Sequence, residues 1–274
     1  MSDEAGEVIR LAERRARIVQ PSGGDYDVDD FNGEFAVVLI GQKCLVLHED
    51  HDAPASDRVR LLTVQAFRDW TANRVVYLED ARGNLKPHPK SRLWLADPKR
   101  REYRGLVFEP GDDADAAPAF NLWQGFDVAP DPSGDPGPWV DHVFENVCGE
   151  SLELFEWVVG WFAHMIQRPR ERLATALALR GGQGTGKTIV GRLVGGLLDA
   201  HYLLVDDPRY LLGQFNAYLA QTLLLQADEA FWSGDKAQIG KLKGLISSDV
   251  QMIEHKGVDP IKVRNYVRLM VTSN

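Results

Sequence analysis

Eight residues constrain this chain more than any others. Gly181, Gly182, Gln183, Gly184, Thr185, Gly186, Lys187 and Thr188 follow an apolar run at 174–180 and open a helical pattern at 189–198. The order GxxxxGK[ST] between a strand and a helix is the phosphate-binding loop pattern, so the chain must build a sheet with a strand ending at residue 180. Gly181, Gly184 and Gly186 are expected at positive φ, which lets backbone amides approach an anion closely. A helix beginning near Lys187 points its N-terminal amides at the same anion. Lys187 supplies a cation for the β- and γ-phosphates of ATP, and Thr188 offers a hydroxyl to Mg²⁺.

Two further segments fit that site. Residues 222–227 (TLLLQA) read as a buried strand that delivers Asp228 and Glu229 at its end. An Asp in that place serves a magnesium ion, and a Glu beside it can deprotonate an attacking water. Alone, the pair equally fits a solvated cap on the next helix. Residues 266–271 read as another strand, closing in Thr272, Ser273 and Asn274, whose amide can hold a water near the phosphates. Between these strands, 251–256 and 261–265 alternate around the turn Gly257-Val258-Asp259-Pro260, which predicts a hairpin with His255 and Lys256 near its tip. Six basic residues (Lys241, Lys243, Lys256, Lys262, Arg264, Arg268) against three acids give 241–268 a small positive excess, which ordinary surface charge also explains.

The remainder reads as supporting structure. Residues 1–30 are expected to form a charged helix and an acidic linker. Residues 31–130 are read as a small α+β domain in which two apolar runs around Gly41-Gln42 make a hairpin. PDPSGDPGP at 130–138 cannot sustain a helix or a central strand, so a linker is placed there. In 138–172, apolar residues at helical spacing predict a core helix over 152–166 that includes Trp157 and Trp161. Residues 86–104 carry seven Lys/Arg with Trp94 and Tyr103 interleaved. That mixture suits a single-strand nucleic-acid surface, or a solvated face with Trp94 turned into the core.

Composition limits the function classes. The net charge is −9, from 31 Lys and Arg against 40 Asp and Glu, which argues against a surface that coats nucleic acid generally. Residues 173–274 hold 11 basic and 9 acidic side chains, leaving 20 and 31 for 1–172, so any nucleic-acid contact is local. Two cysteines cannot make a disulfide framework, no apolar run reaches the roughly 18 residues of a membrane span, and no leader is visible; a cytoplasmic protein is expected.

In its GGQGTGKT, LLLQADEA, IEHKG and terminal TSN, the chain resembles superfamily 3 helicases of the AAA+ class, closest to the primase–helicase proteins of phages and mobile elements. The resemblance covers about 31–274 and is most specific from 173 onward. It implies an α/β fold with an AAA+ type parallel sheet at 173–274, preceded by the helical segment and the small α+β domain. It implies an ATP-dependent DNA helicase subunit using ATP and Mg²⁺, with Lys187 and Thr188 as Walker A residues, Asp228 and Glu229 as Walker B, and Asn274 as the sensor asparagine. It further implies single-stranded DNA tracked by His255 and Lys256, a homo-hexamer when complete, and an associated primase or polymerase domain. The family's last strand and arginine finger would lie after Asn274, so a C-terminally truncated motor is expected. Two other readings stay open: a small-molecule kinase, and a nucleotide-binding fragment without turnover.

Overall fold

The computed structural model describes residues 25–111, 118–126, 128–207, 213, 216–228, 236–254, 257 and 260–274. The expected N-terminal helix and first part of the linker lie outside the described residues. So do the site residues Glu229, His255 and Lys256.

The chain is mixed α/β. Helix α1 (Val28–Asn32) leads into β1 (Phe35–Ile40) and β2 (Lys43–Glu49), which pair antiparallel from Phe35↔His48 to Ile40↔Lys43. The two-residue connection is the expected hairpin, with Gly41 at φ 58. Strand β3 (Val59–Thr63) extends the sheet, and Thr63 caps helix α2 (Val64–Trp70) by accepting from Ala66 N at 3.0 Å. A separate ribbon, β4 (Val75–Glu79) with β5 (Leu85–Pro89), precedes helix α3 (Lys90–Ala96). Strand β6 (Glu102–Tyr103) adds to β1 in parallel, giving the order β3-β2-β1-β6.

One face of this sheet packs Phe35, Val37 and Val46 against Phe31, Phe67 and Trp94 from the three helices. The other face, with Ala36, Val38, Ile40, Leu45 and Leu47, joins a larger core that continues through the rest of the chain. Trp94 is fully buried, stacks on Phe31 at 6.0 Å and donates to Asn32 Oδ1 at 2.9 Å. Tyr103 is half-buried against Phe120. Neither aromatic ring of 86–104 stands free to stack on bases, so that segment reads as a charged face over an aromatic core.

Short strands β7 (Leu106–Val107) and β8 (Phe120–Asn121) connect this region to the next. Helix α4 (Gly137–Asp141) starts inside the proline-rich stretch, because Pro138 sits in its first turn, where a missing N–H costs nothing. A π-helical turn, His142–Val147, follows it. Helix α5 (Leu152–Gln167), capped by Ser151, buries Val158, Trp161, Phe162 and Met165. Trp157 does not join that stripe: it is 49% exposed, and Leu152 and Leu154 are exposed with it. The first half of the helix touches the core only through Phe155 and Val158.

A second sheet holds the strands expected to build the site. Its order is β10-β11-β14-β9, with β9 (Leu177–Arg180), β10 (Tyr202–Val205), β11 (Leu224–Asp228) and β14 (Arg268–Ser273) all parallel. Among the described residues β9 has β14 on one side and no strand on the other. Helix α6 (Lys187–Gly196) links β9 to β10, and helix α7 (Lys236–Ser247) with the antiparallel pair β12 (Val250–Ile253) and β13 (Ile261–Arg264) lies between β11 and β14. The apolar run expected as a strand over 174–180 pairs only from Leu177 onward. The chain before it wraps around Arg268, which donates to the carbonyls of Arg168 (2.9 Å), Pro169 (3.0 Å) and Glu171 (2.6 Å), and Ala174 takes φ 49. Arg268 is therefore a buried clamp on the end of α5, not part of a basic surface; burial lowers its pKa to about 10, so it stays charged at neutral pH.

His201 joins the two halves. Its Nδ1 meets the Gln221 carbonyl at 2.8 Å, Nε2 accepts from the Gln124 amide at 3.0 Å, and the Trp123 ring stacks on it at 4.4 Å. Burial pushes its pKa down to about 4, against the opposing pull of the Gln221 carbonyl.

Candidate phosphate-binding site

In a parallel sheet all strands deliver their carboxyl ends to one side, where ligands gather. Register sets which residues meet there: Asp228 lies beside Thr272, and Ser273 beside Arg180. The glycine loop follows Arg180. Gly184 (φ 77) and Gly186 (φ 80) take the left-handed conformation expected of them, and Gly186 caps α6. Gly181 does not: its φ is not positive, and a Cβ there meets Thr185 Oγ1 at an ordinary 3.6 Å. Thr185 Oγ1 donates to the Gly182 carbonyl at 2.9 Å, bracing the loop from within, while Gln183 is exposed. The first amides of α6 have no partner inside the helix, and the loop leads directly into them through Gly186.

Lys187 Nζ donates to the carbonyls of Gly181 (2.8 Å) and Gly182 (2.7 Å) and to Asn274 Oδ1 (3.1 Å). Thr188 Oγ1 donates to Asp228 Oδ2 at 2.8 Å, although the two are 40 positions apart. The other carboxylate oxygen, Asp228 Oδ1, accepts from Thr272 Oγ1. Four of the residues expected to act together, Lys187, Thr188, Asp228 and Asn274, thus converge at the tips of the loop, β11 and β14. An adjacent hydroxyl and carboxylate are hard oxygen donors of the kind Mg²⁺ accepts while keeping several waters, so the Thr188–Asp228 pair fits that ion.

Two residues that sequence reasoning missed hold this arrangement. His142, from the π-helical turn, sets Nε2 3.2 Å from the Gly186 carbonyl, so close that a Cβ on Gly186 lies 2.6 Å from the ring. Nothing in the local sequence points to it. Gln226, two residues before Asp228 and fully buried, donates from Nε2 to the Thr188 carbonyl at 3.0 Å and accepts from Tyr202 Oη at 2.7 Å. An amide inside the run TLLLQA was the visible signal. Burial pushes the Tyr202 phenol up to about 12, so it remains a donor.

The hairpin pairs from Val250↔Arg264 to Ile253↔Ile261, with Lys262 and Arg264 exposed. Lys43, at the start of β2, donates to the Gly257 carbonyl at its tip. At its base Tyr266 Oη donates to Glu109 Oε2 at 2.6 Å, tying it to the first half of the chain.

Residues 179–274 match DUF5906, a family of unknown function. The DNA primase-polymerase of Nitratiruptor phage NrS-1 is 27% identical over 128 residues, which are 46% of this chain and 17% of that protein. Two apo structures of the NrS-1 C-terminal region superpose with TM-scores of 0.60 and 0.62 at 18% and 17% identity. They cover 88% and 89% of this chain and 55% of their own. The chain therefore has the fold of that region and spans about half its length. Among the described residues no helix is long and apolar enough to cross a membrane.

Proposed function

We propose that this chain binds Mg-ATP in the 181–188 loop and hydrolyses it as the motor core of a superfamily 3 helicase of the AAA+ class, acting in phage or mobile-element DNA replication. One observation carries the reading: Lys187 with Asn274, and Thr188 with Asp228, meet at adjacent strand tips beside a helix N-terminus. The similarity to a phage primase-polymerase supports the replication setting.

In this reading the loop amides and the start of α6 hold the phosphates, and Lys187 exchanges its carbonyl partners for phosphate oxygens. Thr188 and Asp228 would hold Mg²⁺, which when bound would supply positive charge beside the phosphates. Asn274 orients a water toward the γ-phosphorus, Glu229 takes that water's proton as the new P–O bond forms, and ADP leaves with the electron pair of the broken bond. His255 and Lys256, which lie between β12 and β13 in the chain, contact the backbone of single-stranded DNA. The region 31–130 and the helical segment 138–172 form the platform for the core 173–274. The working assembly is a homo-hexamer served by a primase or polymerase domain.

Titration with a fluorescent ATP analogue tests the site. Lys187→Ala removes charge-assisted bonds worth about 1.5–3 kcal/mol each, so affinity falls about tenfold or more while the protein stays folded. Glu229→Gln keeps binding and abolishes turnover. Unchanged affinity in folded Lys187→Ala refutes the site; binding without turnover in a longer parent chain that carries an arginine finger, even with single-stranded DNA, keeps the site and removes the motor.

A further inference from the structure

Strand β11 is buried on both faces, and Gln226 is its one amide. A buried amide is costly unless its hydrogen bonds are made, and a leucine would fill the space without that cost. Both ends of this amide are bonded: Nε2 to the Thr188 carbonyl and Oε1 to the Tyr202 hydroxyl. The approach is bought by a glycine. A Cβ on Gly191 in α6 would lie 2.7 Å from both Gln226 Cδ and Met270 Sδ, so only glycine lets the helix sit this close to the strand.

Side chains two apart on a strand share a face, so Gln226 and Asp228 both look toward α6. Asp228 meets the Thr188 hydroxyl and Gln226 meets the Thr188 carbonyl. One residue of the helix is therefore gripped at two points by one face of one strand. Tyr202, on the neighbouring strand β10, holds the lower grip in place.

We infer that Gln226 is a positioning residue for the metal: through the Thr188 backbone it sets the spacing between the Thr188 hydroxyl and the Asp228 carboxylate. This rests on the Mg-nucleotide reading of the site. Gln226 is fully buried and Tyr202 bonds to it, so both act through Thr188 and fix how two oxygen donors face each other. Groups that orient metal ligands from behind typically contribute 10–100-fold to metal affinity.

The experiment measures nucleotide-analogue binding as a function of Mg²⁺, binding in EDTA, and Tm, for wild type, Gln226→Met and Tyr202→Phe. Gln226→Met keeps length and loses both hydrogen bonds; it raises the Mg²⁺ concentration for half-maximal binding about tenfold, with metal-free affinity unchanged. Tyr202→Phe gives a smaller shift in the same direction and carries the test should the Met variant fail to fold. A Mg²⁺ midpoint equal to wild type in the folded variants overturns the inference, as does an equal loss with and without metal, which marks a merely structural residue. Either result leaves the Mg-nucleotide reading standing if Lys187→Ala still weakens binding. Wild-type binding that does not depend on Mg²⁺ overturns reading and inference together.

Discussion

The two four-stranded sheets use the same apolar strand chemistry to different ends. The sheet β3-β2-β1-β6 is mostly antiparallel, and its helix-facing side closes on Phe31, Phe35, Phe67 and Trp94. Its polar bonds pin packing: Asn32 Oδ1 accepts from Trp94, and Glu34 takes a two-pronged pair from Arg74 at 2.7 and 2.8 Å. The sheet β10-β11-β14-β9 is parallel, and Lys187, Thr188, Asp228, Thr272 and Asn274 meet at one end of it. Antiparallel strands send successive ends to opposite sides and gather nothing; parallel strands send every carboxyl end to one side. Strand direction makes one sheet a scaffold and gives the other its candidate site.

If that division of labour is right, damage to the two sheets separates cleanly. Trp94→Ala empties a fully buried indole site and should cost about 3–5 kcal/mol of stability, leaving nucleotide affinity unchanged in the folded fraction; chemical denaturation beside a binding titration checks both. A large affinity loss at temperatures where the variant is folded breaks the comparison.

The junction between the halves titrates. His201 is neutral in the fold, with a pKa of about 4 against 6.5 when unfolded, so between those values the unfolded chain binds the extra proton. Stability from this residue is full above pH 6.5, falls as pH drops, and is lost by about pH 4, a change on the order of 3 kcal/mol. Denaturation midpoints measured over that window should show a slope that His201→Gln flattens. An unchanged slope assigns the acid sensitivity elsewhere.

Lys187→Ala is the mirror of Trp94→Ala: about tenfold or more in nucleotide affinity with little change in Tm, because two of the three groups the ammonium holds are carbonyls of its own loop. The smallest effect belongs to the scaffold again. Thr63→Ala removes the cap on α2 and should cost about 1 kcal/mol, visible in denaturation and absent from binding.

Much of the framework of the candidate site was legible in the chain. The loop, the strand ending at Asp228, the strand closing near Asn274 and the β12–β13 hairpin all lie where periodicity and turn residues put them. What was misread was burial. Arg268 stands in a basic stretch and is inside, Trp157 stands in an apolar stripe and is outside, and Gly181 looks like Gly184 without sharing its backbone angle; Trp94 is turned into the core, one of the two readings its basic stretch allowed. Charge and hydrophobicity along a segment say which faces it has, not what each face meets.

The sequence by itself determined the local geometry: glycines at 184 and 186 admit positive φ, Thr63 and Ser151 start helices, and Pro138 marks a first turn. These are interactions within a few residues, so their cause is written in adjacent letters. Only the tertiary structure decided that Thr188 finds Asp228, that Gln226 reaches behind Thr188 to hold it, and that His142 rests on the loop. Those pairs are 40, 38 and 44 positions apart. Their meeting depends on strand order and on the close approach that Gly191 permits, and packing sets both across the whole chain.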